Sequence, residues 1–314
     1  MRIVFMGTPD FAVPSLEALL KSDDPIVGVV TQPDRPKGRG QRLFPSPVKV
    51  VAQREGIPLL QPMKMKDPKF MTELSAWKPD VIVVAAFGRI LPPSILSLPP
   101  GGCINVHGSL LPKYRGAGPL QWALINGETE TGITTMLMDE GMDTGAMLLQ
   151  EAITIGSEDT AGTLSPRLAD LGGRLLVETL TRLKAGTLTP RPQDHDKATL
   201  APLLKKEDGI INWTMPATSI ANRIRGLTPW PGAYTFSKMN RWTISRASVL
   251  DEATTLDPGQ ITALAKDAIH VATGVGVLAI RELQPANGRR MPAAQYLAGH
   301  PLQIGMQLTQ SEEL

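Results

Sequence analysis

An α/β fold, with an open and mostly parallel sheet wrapped by helices and a small β-barrel after it, is what the sequence predicts on three observations. From Arg2 to Lys184, short β-branched runs alternate with segments of helical apolar spacing. The strongest run, Val81-Ile-Val-Val-Ala-Ala86, is apolar at every position, as a parallel strand covered on both faces must be. Beyond residue 207 short strands follow one another between Asp-Pro-Gly and Thr-Gly turns, with one helical stretch among them. The first part is therefore Rossmann-like, with helices on both faces of the sheet, and the second is OB-like.

The elements follow in order. Arg2 to Met6 and Ile26 to Thr31 read as strands, and Phe11 to Lys21, with Pro14 in its first turn, reads as the helix between them. Helices are predicted at Val48 to Glu55 and Lys69 to Lys78, with a weak strand at Pro58 to Leu60. Cys103 to His107 is a strand, Pro119 to Asn126 a helix, Gly132 to Met138 and Met147 to Ile155 strands, and Thr160 to Lys184 a long helix weakened by Gly172-Gly173. Thr189-Pro-Arg-Pro-Gln-Asp-His-Asp196 carries turn formers and no apolar period, so 189–206 reads as a linker between domains at 1–188 and 207–314. The second domain holds a helix at Ala217 to Arg225 and strands at Ala233 to Phe236, Trp242 to Val249, Gly259 to Leu264, Ala268 to Ala272 and Val275 to Leu283.

Composition narrows the function classes. With 42% apolar and 20% charged residues in 314, the chain is neither disordered nor collagen-like, although Gly and Pro are frequent. The single cysteine, Cys103, excludes an intramolecular disulfide and suits a reducing compartment. Four scattered histidines offer no zinc spacing, and no apolar run is long enough to span a membrane. A cytoplasmic protein is expected, with no metal. A net charge of only +2 gives no whole-molecule case for a polyanionic partner. Locally the case differs: residues 32 to 54 hold Arg35, Lys37, Arg39, Arg42, Lys49 and Arg54 against Asp34 alone. The interspersed glycines and prolines predict a mobile basic loop on the ligand side of the sheet, which a solvated loop without a partner explains equally well.

Asn105 and His107 share one face of their strand with Cys103, while Ile104 and Val106 take the other. They emerge at the carboxyl end of a sheet strand, where open α/β sheets place ligands. The rigid segment Gly108-Ser-Leu-Leu-Pro-Lys-Tyr-Arg-Gly-Ala-Gly-Pro119 follows, either a ligand-gripping loop or a structural one. Met138-Asp-Glu-Gly-Met-Asp-Thr-Gly145 offers three carboxylates, of which Asp143 is a candidate to approach His107, against the alternative of an ordinary Asp-Gly turn. Gly7-Thr-Pro sits where a dinucleotide-binding turn would, but the triple-glycine fingerprint of an NAD-dependent oxidoreductase is missing.

Jointly, Asn105-Val-His-Gly-Ser-Leu-Leu-Pro-Lys-Tyr-Arg-Gly116 and Gly132-Ile-Thr-Thr-Met-Leu-Met-Asp-Glu-Gly-Met-Asp-Thr-Gly145 resemble the formyltransferases that use 10-formyltetrahydrofolate. The resemblance extends over the whole chain, including Met6-Gly-Thr-Pro-Asp-Phe11, Thr31-Gln-Pro-Asp-Arg-Pro-Lys-Gly-Arg-Gly40 and the terminal domain. Phe87 stands where the family commonly has Tyr, and Gly118 where Ala is usual. The resemblance implies that Asn105, His107 and Asp143 form a catalytic set for direct amine attack on the formyl carbon, with an oxyanionic tetrahedral intermediate and no covalent enzyme adduct. It implies a tetrahydrofolate site lined by Phe87, Gly88, Ser109, Leu110, Leu111, Pro112, Met138, Asp139, Glu140, Gly141 and Met142. It further implies methionyl initiator tRNA as acceptor, contacted by Arg35, Lys37, Arg39 and Arg42 in the basic loop and by Lys205 and Lys206. Arg223, Arg225, Arg281, Arg289 and Arg290 of the terminal domain are expected to add phosphate contacts, although residues 207–314 carry no net charge. A monomer without a membrane partner is expected. The alternatives are a formyltransferase acting on glycinamide ribonucleotide, which would be shorter, one acting on an amino-sugar nucleotide, which would not need the basic loop, and a non-catalytic RNA-binding protein.

Overall fold

A computed structural model describes residues 1–37, 42–237 and 240–311. The chain divides into two units, one of Met1–Pro119, Glu130–Thr154 and Ser165–Pro202, the other of Leu120–Thr129, Ile155–Leu164 and Leu203–Leu314.

The first unit opens with β1 (Ile3–Gly7), a 3-10 turn at Asp10–Ala12, α1 (Val13–Leu20) and β2 (Ile26–Val30). Next come β3 (Arg35–Lys37), β4 (Arg42–Phe44), α2 (Pro47–Arg54), β5 (Leu59–Leu60), α3 (Pro68–Ala76), β6 (Val81–Ala85), the single turn α4 (Pro93–Leu96) and β7 (Cys103–His107). Helix α5 (Pro119–Ile125) leads to β8 (Glu130–Leu137), β9 (Met147–Thr154) and α6 (Ala161–Lys184). The helix starts are specified locally: Ser46 and Asp67 accept the amides of Lys49 and Lys69, and Pro47 and Pro68 occupy the first helical positions.

The strand order is β5-β2-β1-β6-β7-β8-β9. The first five run parallel, and β8 and β9 are antiparallel additions beside β7. Strands β1, β6 and β7 are buried at every position, which is why β1 and β6 read as unbroken apolar runs, whereas β7 buries Asn105 and His107 on one of its faces. Chain order reverses between β1 and β6, so the carboxyl ends of β1, β6 and β7 border the crevice typical of such sheets. Thr8 Oγ1 donates to the Phe87 carbonyl at 3.1 Å, drawing the ends of β1 and β6 together.

Two expectations are corrected. The basic loop is not irregular throughout: β3 and β4 pair antiparallel, with Pro36 opposite Leu43. A two-stranded hairpin consists only of edges, so a proline lacking its N–H is tolerated there. The Gly172-Gly173 pair does not interrupt α6, which runs unbroken through it, and the glycines are points of close approach. A Cβ on Gly172 would lie 2.9 Å from Val106 Cγ1, and one on Gly173 would lie 2.8 Å from the Pro14 carbonyl oxygen.

The second unit holds α7 (Ala217–Leu227), β10 (Ala233–Ser237), β11 (Asn240–Leu250), β12 (Ile261–Leu264), β13 (Ile269–Ala272), β14 (Val277–Pro285), β15 (Met291–Pro292), α8 (Ala293–Gly299) and β16 (Leu308–Thr309). Its antiparallel order is β12-β13-β14-β11-β10-β16. Ile261 N donates to Met306 O at 2.9 Å and Leu308 N to Gly259 O at 2.8 Å, joining the two ends into a barrel. Trp213, Trp242, Ile244, Leu278 and Tyr296 fill the interior with Ile220 and Ile224 of α7. Residues 120–129 belong to this unit, and α7 lies against α5 where a Cβ on Gly226 would stand 2.8 Å from the Gln121 carbonyl.

The stretch expected as a linker is fastened to the first unit as far as Pro202. Arg191 and Met147 exchange 2.8 Å backbone bonds, Arg115 N donates to Thr199 O at 2.9 Å, and Ala201 N to Arg115 O at 2.7 Å. Its prolines and polar side chains hid this because much of the attachment is made by main chain. No helix among the described residues is long and apolar enough to cross a membrane.

Candidate active site

Strand β7 sets the site. Its alternation turns Asn105 and His107 to one face, and Val106 to the face covered by α6 at Gly172. Both polar side chains are buried. Across the β8–β9 connection, Asp143 adopts a left-handed backbone with φ +54°. A non-glycine residue rarely does so, and the turn is fixed from both sides. A Cβ on Gly145 would stand 1.8 Å from the Leu137 carbonyl, so glycine is required there, and Asp139 Oδ1 accepts from Gly141 N at 3.1 Å and Thr144 Oγ1 at 2.6 Å.

The turn delivers the Asp143 carboxylate to the polar face of β7. Asn105 Nδ2 donates to Asp143 Oδ1 at 3.4 Å, His107 Nδ1 lies 3.5 Å from Asp143 Oδ2, and Gly116 N donates to Oδ2 at 2.8 Å. On its other side, His107 Nε2 is 2.9 Å from the Tyr114 carbonyl, which makes Nε2 the donor in that bond. Amide, imidazole and carboxylate thus converge, with Nδ1 left beside the carboxylate. Such a set can stabilise a developing negative charge and move a proton.

The residues expected to line the folate site divide by exposure. Asp139, Glu140, Gly141 and Met142 are exposed beside Asp143, Gly88 is exposed with φ +74°, and Leu110, Pro112 and Met138 are half-buried. Ser109, Leu111 and Phe87 are buried and are held by contacts within the fold. Ser109 Oγ donates to Lys113 O at 2.6 Å, Leu111 N donates to Thr134 Oγ1 at 3.1 Å, and the Phe87 ring packs in the core with Ile95 and Cys103. The Phe87 carbonyl accepts from Gln32 Nε2 at 2.8 Å, so that position is held through its main chain.

Of the basic residues, Arg39 lies outside the described residues, and so do the side chains of Lys37 and Arg42. Arg35 is exposed on β3 and donates to Gln32. Below the hairpin, Lys49 Nζ donates to Asp34 Oδ2 at 2.7 Å and to Gln61 Oε1 at 2.9 Å. In the second unit Lys205 and Lys206 are exposed. Arg223 instead donates to Asp208 O, Arg225 to Gly156 O and Asn222 Oδ1, Arg281 to Asp267 and Arg290 to Glu282. Those four arginines, expected as phosphate contacts, are engaged within their own unit.

Two site residues escaped the sequence reading. Arg115 Nε and Nη2 donate to Gln193 Oε1 at 3.1 and 2.7 Å, and Gln193 Nε2 donates to the carbonyls of Asp143 and Gly145, each at 2.8 Å. Gln193 lies in an aperiodic stretch, so no spacing pointed to it. Cys103, at the other end of β7, is buried and its thiol is pushed up to about 12 by that burial, which makes it a packing residue. Among the described residues no three metal-ligating side chains come together.

A family model described as formyl transferase matches residues 1–180, and one described as the formyl transferase C-terminal domain matches residues 203–301. A methionyl-tRNA formyltransferase of Citrifermentans bemidjiense is 52% identical over 305 residues, covering 97% of this chain and 95% of that protein. Among solved structures, the N-formyltransferase of Helicobacter canadensis, in complex with folinic acid and dTDP-3-aminofucose, shares the fold at a TM-score of 0.68 and 20% identity, over 93% of this chain and all of that one. HypX from Aquifex aeolicus, in complex with tetrahydrofolic acid, matches at a TM-score of 0.60 and 18% identity over 95% of this chain, which spans about half (47%) of HypX. The chain belongs to the formyl transferase family, and within it to the methionyl-tRNA formyltransferases.

Proposed function

We infer that the protein is an enzyme that transfers the formyl group of 10-formyltetrahydrofolate to the α-amino group of methionyl initiator tRNA, and so acts in translation initiation. One observation carries the reading: Asn105, His107 and Asp143 converge at the carboxyl end of β7, in a chain half-identical over nearly its whole length to a methionyl-tRNA formyltransferase. A carbon–nitrogen bond forms between the amine and the formyl carbon, the bond from that carbon to the folate nitrogen breaks, and one proton passes from the amine to the leaving nitrogen. Asn105 donates its amide to the formyl oxygen as negative charge gathers there, and His107 in its imidazolium form, with Nε2–H on the Tyr114 carbonyl, donates Nδ1–H to the same oxygen. Asp143 orients both and, with water, relays the proton. The attacking amine must be neutral, which an ordinary α-amino pKa of about 7.7 to 8.0 makes accessible near neutral pH.

The folate lies between the 109–112 segment and the exposed 139–142 turn. The tRNA is held by the β3–β4 hairpin, through Arg35, Lys37, Arg39 and Arg42, and by Lys205 and Lys206. We read the protein as a monomer that works in the cytoplasm, where charged tRNA is found. The test is formyl transfer by the purified chain to methionyl initiator tRNA, to glycinamide ribonucleotide and to an amino-sugar nucleotide, each with 10-formyltetrahydrofolate. Turnover on the tRNA alone is expected, and turnover only on either small amine would overturn the acceptor.

A further inference from the structure

The Asp143 carboxylate is useful only if its turn holds a backbone conformation that aspartate does not favour, and the turn is exposed at 139–142. The restraint arrives from a segment remote in sequence. Gln193 is buried in a stretch whose neighbours, Arg191 to Lys197, are otherwise exposed. All four hydrogen-bonding positions of its amide are filled. Its two N–H groups meet the carbonyls of Asp143 and Gly145, one residue either side of Thr144, and its oxygen receives two N–H groups of Arg115. The orientation has one solution, since flipping the amide would set its oxygen against two carbonyls and its NH2 against a guanidinium. Arg115 is itself buried, and its Nη2 lies 3.3 Å from His195 Nδ1, which accepts from it. Its backbone neighbour Gly116 donates to the Asp143 carboxylate. One loop and one side chain thus grip Asp143 at both its ends.

We propose that Gln193, oriented by Arg115, is the positioning residue that holds Asp143 in its catalytic conformation. The proposal rests on the role given above to Asp143. A tie that merely fastened residues 190–201 to the unit would need no donors on the Asp143 turn, because Arg191, Thr199 and Ala201 already make main-chain bonds.

Gln193→Glu separates the two roles. The glutamate keeps the shape and gives Arg115 a charged partner, so the fold is retained, but it loses both donors to the turn. The expected result is a cooperative unfolding transition with a somewhat lowered melting temperature, because a carboxylate oxygen now faces two carbonyls, and a kcat lowered about 10- to 100-fold, the scale by which small misplacement of a reacting group slows a reaction. KM for folate and for tRNA should stay within about threefold, and in an Asp143→Ala background the same substitution should lower kcat no further. Should Gln193→Glu fail to fold, the paired Gln193→Leu/Arg115→Met variant, which removes both partners at similar volume, is expected to show the same loss of kcat. Near wild-type kcat, a change confined to KM, or an undiminished effect in the Asp143→Ala background would each overturn the proposal. Asp143→Ala alone discriminates the premises: if it is fully active the role of Asp143 falls, and if it is impaired while Gln193→Glu is not, only the positioning falls.

Discussion

At the residue scale, Asn105 and His107 were legible because a strand alternates its faces and a parallel sheet presents its carboxyl ends to ligands. Asp143 was legible as one of three carboxylates, and the left-handed turn that selects it over Asp139 and Glu140 emerged with the structure. Gln193 was not legible, because its side chain acts on the main chain of residues distant in sequence, and the Tyr114 carbonyl was not, because a main-chain group leaves no mark on the side-chain pattern. Asp34, beneath the basic hairpin, yields a pH prediction. The hydrogen bond from Lys49, with help from Gln61, holds its carboxyl below the usual carboxylate range. A group whose folded value is lowered contributes stability above its unfolded value of about 3.9 and loses it as pH falls through the folded value. Melting curves of Asp34→Asn should therefore lie below those of the wild-type protein near neutral pH and meet them in acid. A gap independent of pH would show that the ion pair contributes nothing.

At the scale of elements, the order of strands and helices was readable because β1 and β6 are apolar throughout, β7 alternates around Ile104 and Val106, and the helix starts carry their own caps and prolines. The hairpin was not, since Pro36 argues against a strand unless the strand has a free edge. The glycine pair of α6 was misread for a related reason: propensity registers glycine as a weakness, whereas packing uses it for contact. The two views predict opposite signs. Gly173→Ala would gain about 1 kcal/mol in an unconstrained helix, but here the new methyl would press on the Pro14 carbonyl, and overpacking costs about 1 to 3 kcal/mol. A lowered melting temperature is expected, and a raised one would mean that α1 and α6 yield to each other easily.

At the scale of the whole molecule, net charge near zero conceals a division of labour among the cations. Arg223 and Arg225 are engaged by their own unit, while Lys205 and Lys206 are exposed. Replacing both lysines with alanine should raise KM for methionyl-tRNA, flatten its salt dependence and leave KM for folate unchanged. Arg223→Ala should instead lower thermal stability, and the reverse pattern would contradict the assignment. Sequence composition did not separate these groups, because only the folded chain decides which cations are already occupied. The account as a whole depends on the polar set at the end of β7 performing formyl transfer. Its most direct test is the single-turnover rate of formylation of methionyl initiator tRNA by Asn105→Ala and His107→Ala, at saturating 10-formyltetrahydrofolate and with folding verified. A fall of at least about 100-fold in each is predicted from the loss of one oxyanion donor, and a rate near that of the wild-type protein in either would contradict it.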